Sequence, residues 1–186
     1  MKKLILLLAL IVPIVANAQF QLTSDGFKTS EGKDFYVVEI EGTQSQLFQR
    51  AQSAITEIFV SANDVVSANM PDIISLSGYT NAIFIKQVGK KTNMDTKYSM
   101  KILFKDGKIR FNAPTITSMG VFNNGRTVNL YMGCGGGSGM NDFGHIFKKD
   151  GSVRYNDAVN SSSEFFNSLI NEIVEKINSP VTQDDW

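Results

Sequence analysis

The strongest constraint on the fold is a pair of alternating segments on either side of Asp106-Gly107. Apolar and polar residues alternate over residues 98–105 and again over residues 108–111. Asp-Gly is typical of a two-residue type I′ turn, and a turn here pairs Phe104 with Ile109. A slip of one residue would move each apolar set to the opposite face of the sheet. The sequence therefore predicts an antiparallel hairpin with one apolar and one polar face.

Two amphipathic helices are predicted, one before and one after the strand-rich region. Thr43 followed by Gln46 is a capping-box pattern, and apolar residues at helical spacing predict a helix over 44–60. A second apolar stripe follows Ser161 and ends before Pro180. Because each stripe needs an apolar surface to bury against, we predict an α+β two-layer sandwich. In it, an antiparallel sheet has both helices packed on one face.

The first residues have the three parts of a secretory signal peptide. Lys2 and Lys3 precede an apolar run of twelve residues, and residues 16–18 supply small side chains for cleavage. We therefore expect an exported chain, either periplasmic or secreted. The expected divisions are a signal peptide at 1–18, a flexible lead-in at 19–33, a single domain at 34–180 and a tail at 181–186.

Composition argues against several classes of protein. Without residues 1–18 the chain has 168 residues, with 16 Lys plus Arg and 18 Asp plus Glu. This faintly acidic balance is atypical of a protein that binds the phosphate backbone, so we expect no nucleic-acid partner. No second apolar run is long enough to span a membrane, so we expect no transmembrane segment. The single cysteine, Cys134, excludes an intramolecular disulfide.

Residues 116–157 are predicted to be an inserted segment. It contains a strand over 127–132, a glycine-rich loop over 133–139 and a second hairpin at Asp150-Gly151. The loop lacks the Lys and Ser or Thr that a phosphate-binding loop needs after its last glycine. We interpret it as a mobile connection. The pattern leaves open whether the inserted segment covers the polar face of the sheet.

The sequence offers few groups for catalysis or metal binding. Cys134 lies in the glycine-rich loop, and His145 is the single histidine of the chain. A thiol nucleophile needs a base in reach, and Asp142 is a possible helper of this pair. A closed zinc site needs four ligands, which one Cys and one His do not supply. We therefore expect no catalytic residues, no metal site and no cofactor.

The polar face of the sheet is the candidate surface for a ligand or partner. Strand alternation places six charged side chains on it: Glu39, Glu41, Lys101, Lys105, Lys108 and Arg110. Phe35 is expected to lie among these charges. An uncovered antiparallel sheet normally has one solvated face, so the pattern does not require a function. Five aromatic residues, Tyr79, Phe84, Phe122, Tyr131 and Phe143, are further candidates for stacking on a sugar or peptide, although core packing is the commoner role.

The order of these elements resembles a known family. The residues that carry the resemblance are Val37–Gly42, the helix beginning near Leu47–Ala51, Asp64–Val66, Ile73–Gly78 and the hairpin over 98–110. They are similar to a family of exported bacterial domains of unknown function with a TATA-binding-protein-like (TBP-like) fold. The resemblance implies the order β-α-β-β-β-β-α, here with an extra hairpin segment. It implies no established activity, and the name of the fold is no argument for DNA binding.

We infer from the sequence an exported, non-catalytic interaction module of the Gram-negative cell envelope. Its partner would be an envelope protein, a peptide or a glycan, and a homo-oligomer is possible. Two alternatives stay open. One is a self-associating scaffold in which exposed strand edges pair. The other is a small thiol enzyme that uses Cys134 and His145.

Overall fold

A computed structural model of the chain describes residues 20–59, 66–123, 125–139 and 142–179. The expected signal peptide at 1–18 and tail at 181–186 lie outside the described residues. The elements in chain order are β1 (Gln21–Thr23), β2 (Gly26–Lys28), β3 (Phe35–Glu39), α1 (Gln44–Ile58), β4 (Val66–Asn69), β5 (Ile73–Thr80), β6 (Phe84–Gln87), β7 (Lys90–Asn93), β8 (Asp95–Lys105), β9 (Lys108–Asn112), β10 (Thr115–Asn123), β11 (Arg126–Gly135), β12 (Asp142–Lys148) and α2 (Asn156–Asn178).

The main sheet is built around β8. Its order is β12-β11-β10-β8-β5-β4, and β9 joins it between β8 and β3. The predicted hairpin is confirmed in its register, with Phe104 opposite Ile109 and Lys105 opposite Lys108. Strands β9 and β10 pair with successive parts of the same edge of β8, and Pro114 lies between them. The long β8 therefore pairs with β5 along one edge and with β9 and β10 along the other.

Both helices pack on one face of this sheet, as the sequence predicts for an α+β sandwich. The capping box at Thr43 and Gln46 is present, and α1 contacts β5, β8 and β9. In the core, the ring of Phe48 on α1 meets Phe104 on β8 edge-to-face at 5.5 Å. Helix α2 begins at Asn156, five residues before the predicted start. Burial of the apolar face outweighs the weak helix preference of the serines near its start.

The expected flexible lead-in is corrected, because residues 20–28 are part of the core. Strands β1 and β2 form a short hairpin against α2, and Phe20, Leu22 and Phe27 are almost fully buried. The Asn167 side chain accepts a hydrogen bond from the Phe20 backbone N–H at 2.8 Å and donates one to its carbonyl at 2.9 Å. This hairpin gives little signal in the sequence, because its few apolar residues are dispersed among polar ones.

Residues 116–157 extend the sheet at its edge rather than crossing its polar face. The β10–β11 pairing is antiparallel, but β11 and β12 run parallel, which corrects the expectation of an entirely antiparallel sheet. Strand β11 also continues to Gly135, into the predicted loop. The second hairpin is reduced to a tight turn with one bridge between Phe147 and Val153. The chain leaves this turn directly for α2.

Candidate functional site

The face of the sheet opposite the helices, which we call the open face, carries the predicted basic side chains. Ile102 and Phe104 of β8 are buried beneath the helices, so alternation directs the β8 residues between and beyond them to the opposite side. We define the basic patch as four exposed residues: Lys101, Lys105, Lys108 and Arg110. Glu39 is also exposed and lies opposite Lys108. The predicted residues, except Glu41, are therefore together on one surface.

An apolar strip crosses the basic patch. The register aligns Val37 with Arg110, Arg110 with Leu103 and Leu103 with Ile73 in one row across four strands. Val37 is 41% exposed, whereas Leu103 and Ile73 are half-buried. The patch thus combines cationic groups with a row of aliphatic side chains that solvent reaches.

Arg110 is the most constrained member of the basic patch. Its guanidinium carbon lies 4.0 Å from the centroid of the Phe35 ring, a cation–π geometry. Its Nε donates a hydrogen bond to Oδ1 of Asn112 at 2.9 Å. Phe35 therefore lies among the charges, as expected. These contacts reduce the conformational freedom that Arg110 would lose on binding a carboxylate.

One acidic side chain partly neutralises the patch. The Lys108 Nζ lies 3.6 Å from the Glu39 carboxylate, and both side chains are mostly exposed. An exposed pair of this kind contributes roughly 0–1 kcal/mol, because water screens it. Among the residues that the structure describes, Lys101, Lys105 and Arg110 make no ion pair. The patch therefore retains a net positive charge.

Glu41 does not belong to this surface, which corrects the sequence prediction. Strand β3 ends at Glu39, and the chain turns at Gly42, where φ is 143°. The Glu41 carbonyl accepts a hydrogen bond from the Arg50 guanidinium of α1. Glu41 therefore lines a groove in the helix layer beside α1. Alternation predicts the face of a residue only as far as the strand continues.

The other end of the open face forms a separate concave site, which we call the aromatic cleft. It has a volume of about 330 Å³. Its lining residues are Tyr79, Asp95, Lys97, Ser118, Met119, Gly120, Phe122, Thr127 and Asn129. The register explains why they meet, since Lys97 lies between Tyr79 and Ser118, and Gly120 lies between Asp95 and Asn129. All of them come from β5, β8, β10 and β11.

Sequence reasoning singled out the aromatic members of this cleft but missed its polar ones. Alternation extended backward from Lys101 would have placed Lys97 and Asp95 on the same face. Asn129 has no such signal. It reaches the cleft because β11 pairs with the far end of β10, a register that no local pattern specifies.

Cys134 and Nδ1 of His145 do not form a hydrogen-bonded catalytic pair in the described part of the chain. That nitrogen is buried and has no hydrogen-bond partner in the described part of the chain. The imidazole packs against the Tyr131 ring, with the centroids 5.2 Å apart. Cys134 is exposed. The Asp142 carboxylate instead accepts the backbone N–H groups of Gly139 and Gly144, each at 3.0 Å.

The described part of the glycine-rich segment is held by specific contacts. The Arg154 guanidinium donates to the carbonyls of Gly135 at 3.0 Å and His145 at 2.7 Å, and also to that of Gly136. The Gly136 carbonyl in addition accepts the His145 backbone N–H at 3.1 Å. The interpretation as a mobile connection is therefore corrected for residues 133–137, which pack against β12.

Within residues 20–59, 66–123, 125–139 and 142–179, no group of three or more His, Cys, Asp or Glu side chains has the spacing to hold a metal ion. Neither helix in these ranges is long and apolar enough to cross a membrane.

Comparison with known proteins finds one matching family model and similar solved structures. Residues 36–118 match the model of a domain of unknown function (DUF4468) with TBP-like fold. The chain is similar to a TBP-like protein from Parabacteroides distasonis, with a TM-score of 0.51 and 15% identity over 78% of this chain and 92% of that one. It is also similar to a DUF4468 family protein from Bacteroides ovatus, with a TM-score of 0.48 and 9% identity over 80% of this chain and 88% of that one. No curated protein matches significantly.

These findings confirm the predicted family resemblance and the TBP-like α+β fold. The matched region runs from β3 into β10 and so contains the basic patch. At 15% identity the Parabacteroides distasonis structure shows the fold alone. The description of the matching family assigns no function.

Proposed function

We propose that the chain is an exported, non-catalytic binding module of the bacterial cell envelope, and that its open face binds an acidic segment of a partner protein. The observation that carries this proposal is the constrained Arg110 within the basic patch. Export is supported by the signal-peptide pattern of residues 1–18.

Charge complementarity favours an acidic partner. The whole sequence has equal numbers of basic and acidic residues, so the positive charge of the patch is a local feature. Clustered charges of one sign raise the rate at which an oppositely charged partner associates. Arg110 is suited to bind a carboxylate with two parallel hydrogen bonds, which adds geometric specificity to this attraction.

The apolar strip favours a protein segment over a simple anion. Val37, Leu103 and Ile73 offer aliphatic surface beside the cations. Burying apolar surface contributes roughly 25 cal/mol per Å², whereas exposed ion pairs contribute little by themselves. A segment with carboxylates around one or two apolar residues would satisfy both parts of the patch.

The test is affinity capture with the chain from residue 19 onward, using the envelope fraction of its own organism. Captured proteins are identified by mass spectrometry, and the capture is repeated with the double variant Lys101→Glu and Arg110→Glu. The matched control is Lys148→Glu with Lys149→Glu, which changes the net charge equally at two exposed residues, the last of β12 and the first of the turn after it. We expect one protein with an acidic segment to be captured by the wild type and the control but not by the patch variant.

The alternatives predict different results. A self-associating scaffold would capture its own chain, and its sedimentation coefficient would rise with concentration. A thiol enzyme would lose turnover when Cys134 is replaced by serine. Partner capture that is equal for the wild type and the patch variant would contradict the proposed site.

A further inference from the structure

We propose that the aromatic cleft is a second binding site and that it takes a neutral sugar unit of a glycan. The site is distinct from the basic patch, since it lies toward the opposite end of β8, around Asp95 and Lys97. Two large aromatic side chains are exposed here, Tyr79 at 58% and Phe122 at 70%. Exposed apolar surface beside converging polar groups is typical of a ligand site.

The Tyr79 side chain, on one side of the cleft, is held in place without a ligand. The Tyr79 hydroxyl donates a hydrogen bond to Oδ1 of Asp95. This bond is the main reason that the pKa of Tyr79 is raised. It ties the ring on β5 to the strand beside it. A ring held in place loses less conformational entropy when a ligand stacks on it.

The base of the cleft requires a glycine. A Cβ on Gly120 would lie 2.7 Å from the Val128 carbonyl oxygen and 3.2 Å from the Asn129 Cα, closer than real Cβ atoms tolerate without a shift of the backbone. The missing side chain lets β10 and β11 approach each other. It also leaves a gap between Asp95 on one side and Asn129 on the other. A ligand can thus reach polar groups on both sides.

The chemistry of the lining matches a sugar better than other small ligands. A sugar ring has an apolar face of C–H groups, which stacks on aromatic rings, and an edge of hydroxyls that both donate and accept hydrogen bonds. The cleft offers a carboxylate acceptor in Asp95, an ammonium donor in Lys97 and an amide that does both in Asn129. One cation beside one carboxylate provides no net charge to attract a phosphate. The many polar groups disfavour a purely apolar ligand.

The size of the cleft agrees with this assignment. Its volume of about 330 Å³ is at the lower end of small-molecule pockets, which span roughly 300–1,000 Å³. A neighbouring depression of about 320 Å³ continues from it along β10 and β11 and shares Ser118 and Asn129. Tyr131, 43% exposed, lines that depression. A glycan with more than one sugar unit would place a second ring there.

The test is saturation-transfer NMR on the chain from residue 19 onward, with chitotriose, cellotriose, maltotriose and mannotriose as probes. We expect saturable binding of at least one trisaccharide. Affinity should fall about two- to tenfold in Phe122→Ala, because the variant lacks one of the exposed rings on which the sugar stacks. Asn129→Ala should weaken binding through loss of hydrogen bonds at an otherwise intact stacking surface.

Matched controls separate this site from the basic patch. Val37→Ala removes an exposed apolar group at the other end of the open face and should leave the affinity unchanged. The charge-reversal variant Lys101→Glu with Arg110→Glu should lose the acidic partner but keep the trisaccharide. Absence of saturable binding for all four probes at about 10 mM overturns the proposal. Binding that persists unchanged in both Phe122→Ala and Asn129→Ala also overturns it.

Discussion

The guanidinium of Arg110 on β9 reaches diagonally to the neighbouring strand β3, where it lies 4.0 Å from the centroid of the Phe35 ring. In the register of β3 and β9, Phe35 pairs with Asn112, two residues along from Arg110. Diagonal contacts of this length are within reach of long and aromatic side chains. The sheet itself therefore orients the central cation of the basic patch.

Replacing Phe35 with alanine should weaken binding of the acidic partner without changing the charge of the patch. The lost cation–π contact, roughly 0.5–1 kcal/mol at an exposed site, corresponds to a two- to fivefold loss of affinity. Calorimetric titration of the captured partner measures it. Phe84→Ala is the matched control, because Lys91 lies 4.0 Å over the Phe84 ring outside the patch. An equal loss in both variants would contradict a specific role for Phe35.

The N-terminal hairpin should contribute to the stability of the whole domain. Phe27 is 3% exposed and meets the Phe166 ring edge-to-face at 5.0 Å. Phe27→Ala should lower the free energy of unfolding by about 3–5 kcal/mol, the usual cost of removing a buried phenylalanine. Urea denaturation measures it, with Lys28→Ala as the control on the same strand. An unchanged midpoint for Phe27→Ala would mean that residues 20–28 are not part of the core.

The glycine-rich segment should be sensitive to substitution at one glycine and tolerant at another. A Cβ on Gly144, where φ is +74°, would lie 2.4 Å from the Gly137 carbonyl carbon, whereas a Cβ on Gly137 meets nothing within 4 Å. Gly144→Ala should therefore destabilise the fold by about 1–3 kcal/mol, and Gly137→Ala by less than about 0.5 kcal/mol. Thermal unfolding of the two variants compares them. Equal, small effects would indicate that this segment does not pack on β12.

Stability should fall in alkaline solution because of Tyr98. Burial raises the pKa of this phenol to about 12, above its ordinary value of 10.0. The unfolded chain loses the proton first, so the stabilisation is complete below pH 10 and is lost as the pH rises toward 12. In Tyr98→Phe, the free energy of unfolding should depend less on pH between these values than it does in the wild type. Tyr131→Phe, at an exposed position, serves as the control. A slope that is identical in wild type and Tyr98→Phe would contradict this assignment.

Local patterns predicted the parts of the fold whose causes are local. Asp106-Gly107 defines the turn, and alternation then sets which β8 and β9 residues face the helices. The capping box at Thr43 likewise depends on residues three apart. For the same reason four basic side chains and Glu39 were placed correctly on the open face.

The parts that sequence reasoning missed depend on contacts between distant residues. Asn167 and Ser163 of α2 hold the N-terminal hairpin in place. The Ser163 Oγ accepts a hydrogen bond from the Leu22 backbone N–H at 3.0 Å, although the two residues are 141 positions apart in the sequence. The parallel pairing of β11 and β12 depends on the path of the glycine-rich segment between them. The polar wall of the aromatic cleft depends on the register of β10 with β11, which brings Asn129 beside Gly120.

The most direct test of the proposed function is the dissociation constant of the captured partner, measured for three proteins at two salt concentrations. These are the wild type, Lys101→Glu with Arg110→Glu, and the control Lys148→Glu with Lys149→Glu. We predict that the patch variant binds at least about a hundredfold more weakly, since reversing two charges both removes attraction and adds repulsion. The control should match the wild type, and salt should weaken the wild-type complex. Equal constants for the patch variant and the control would contradict binding through the open face.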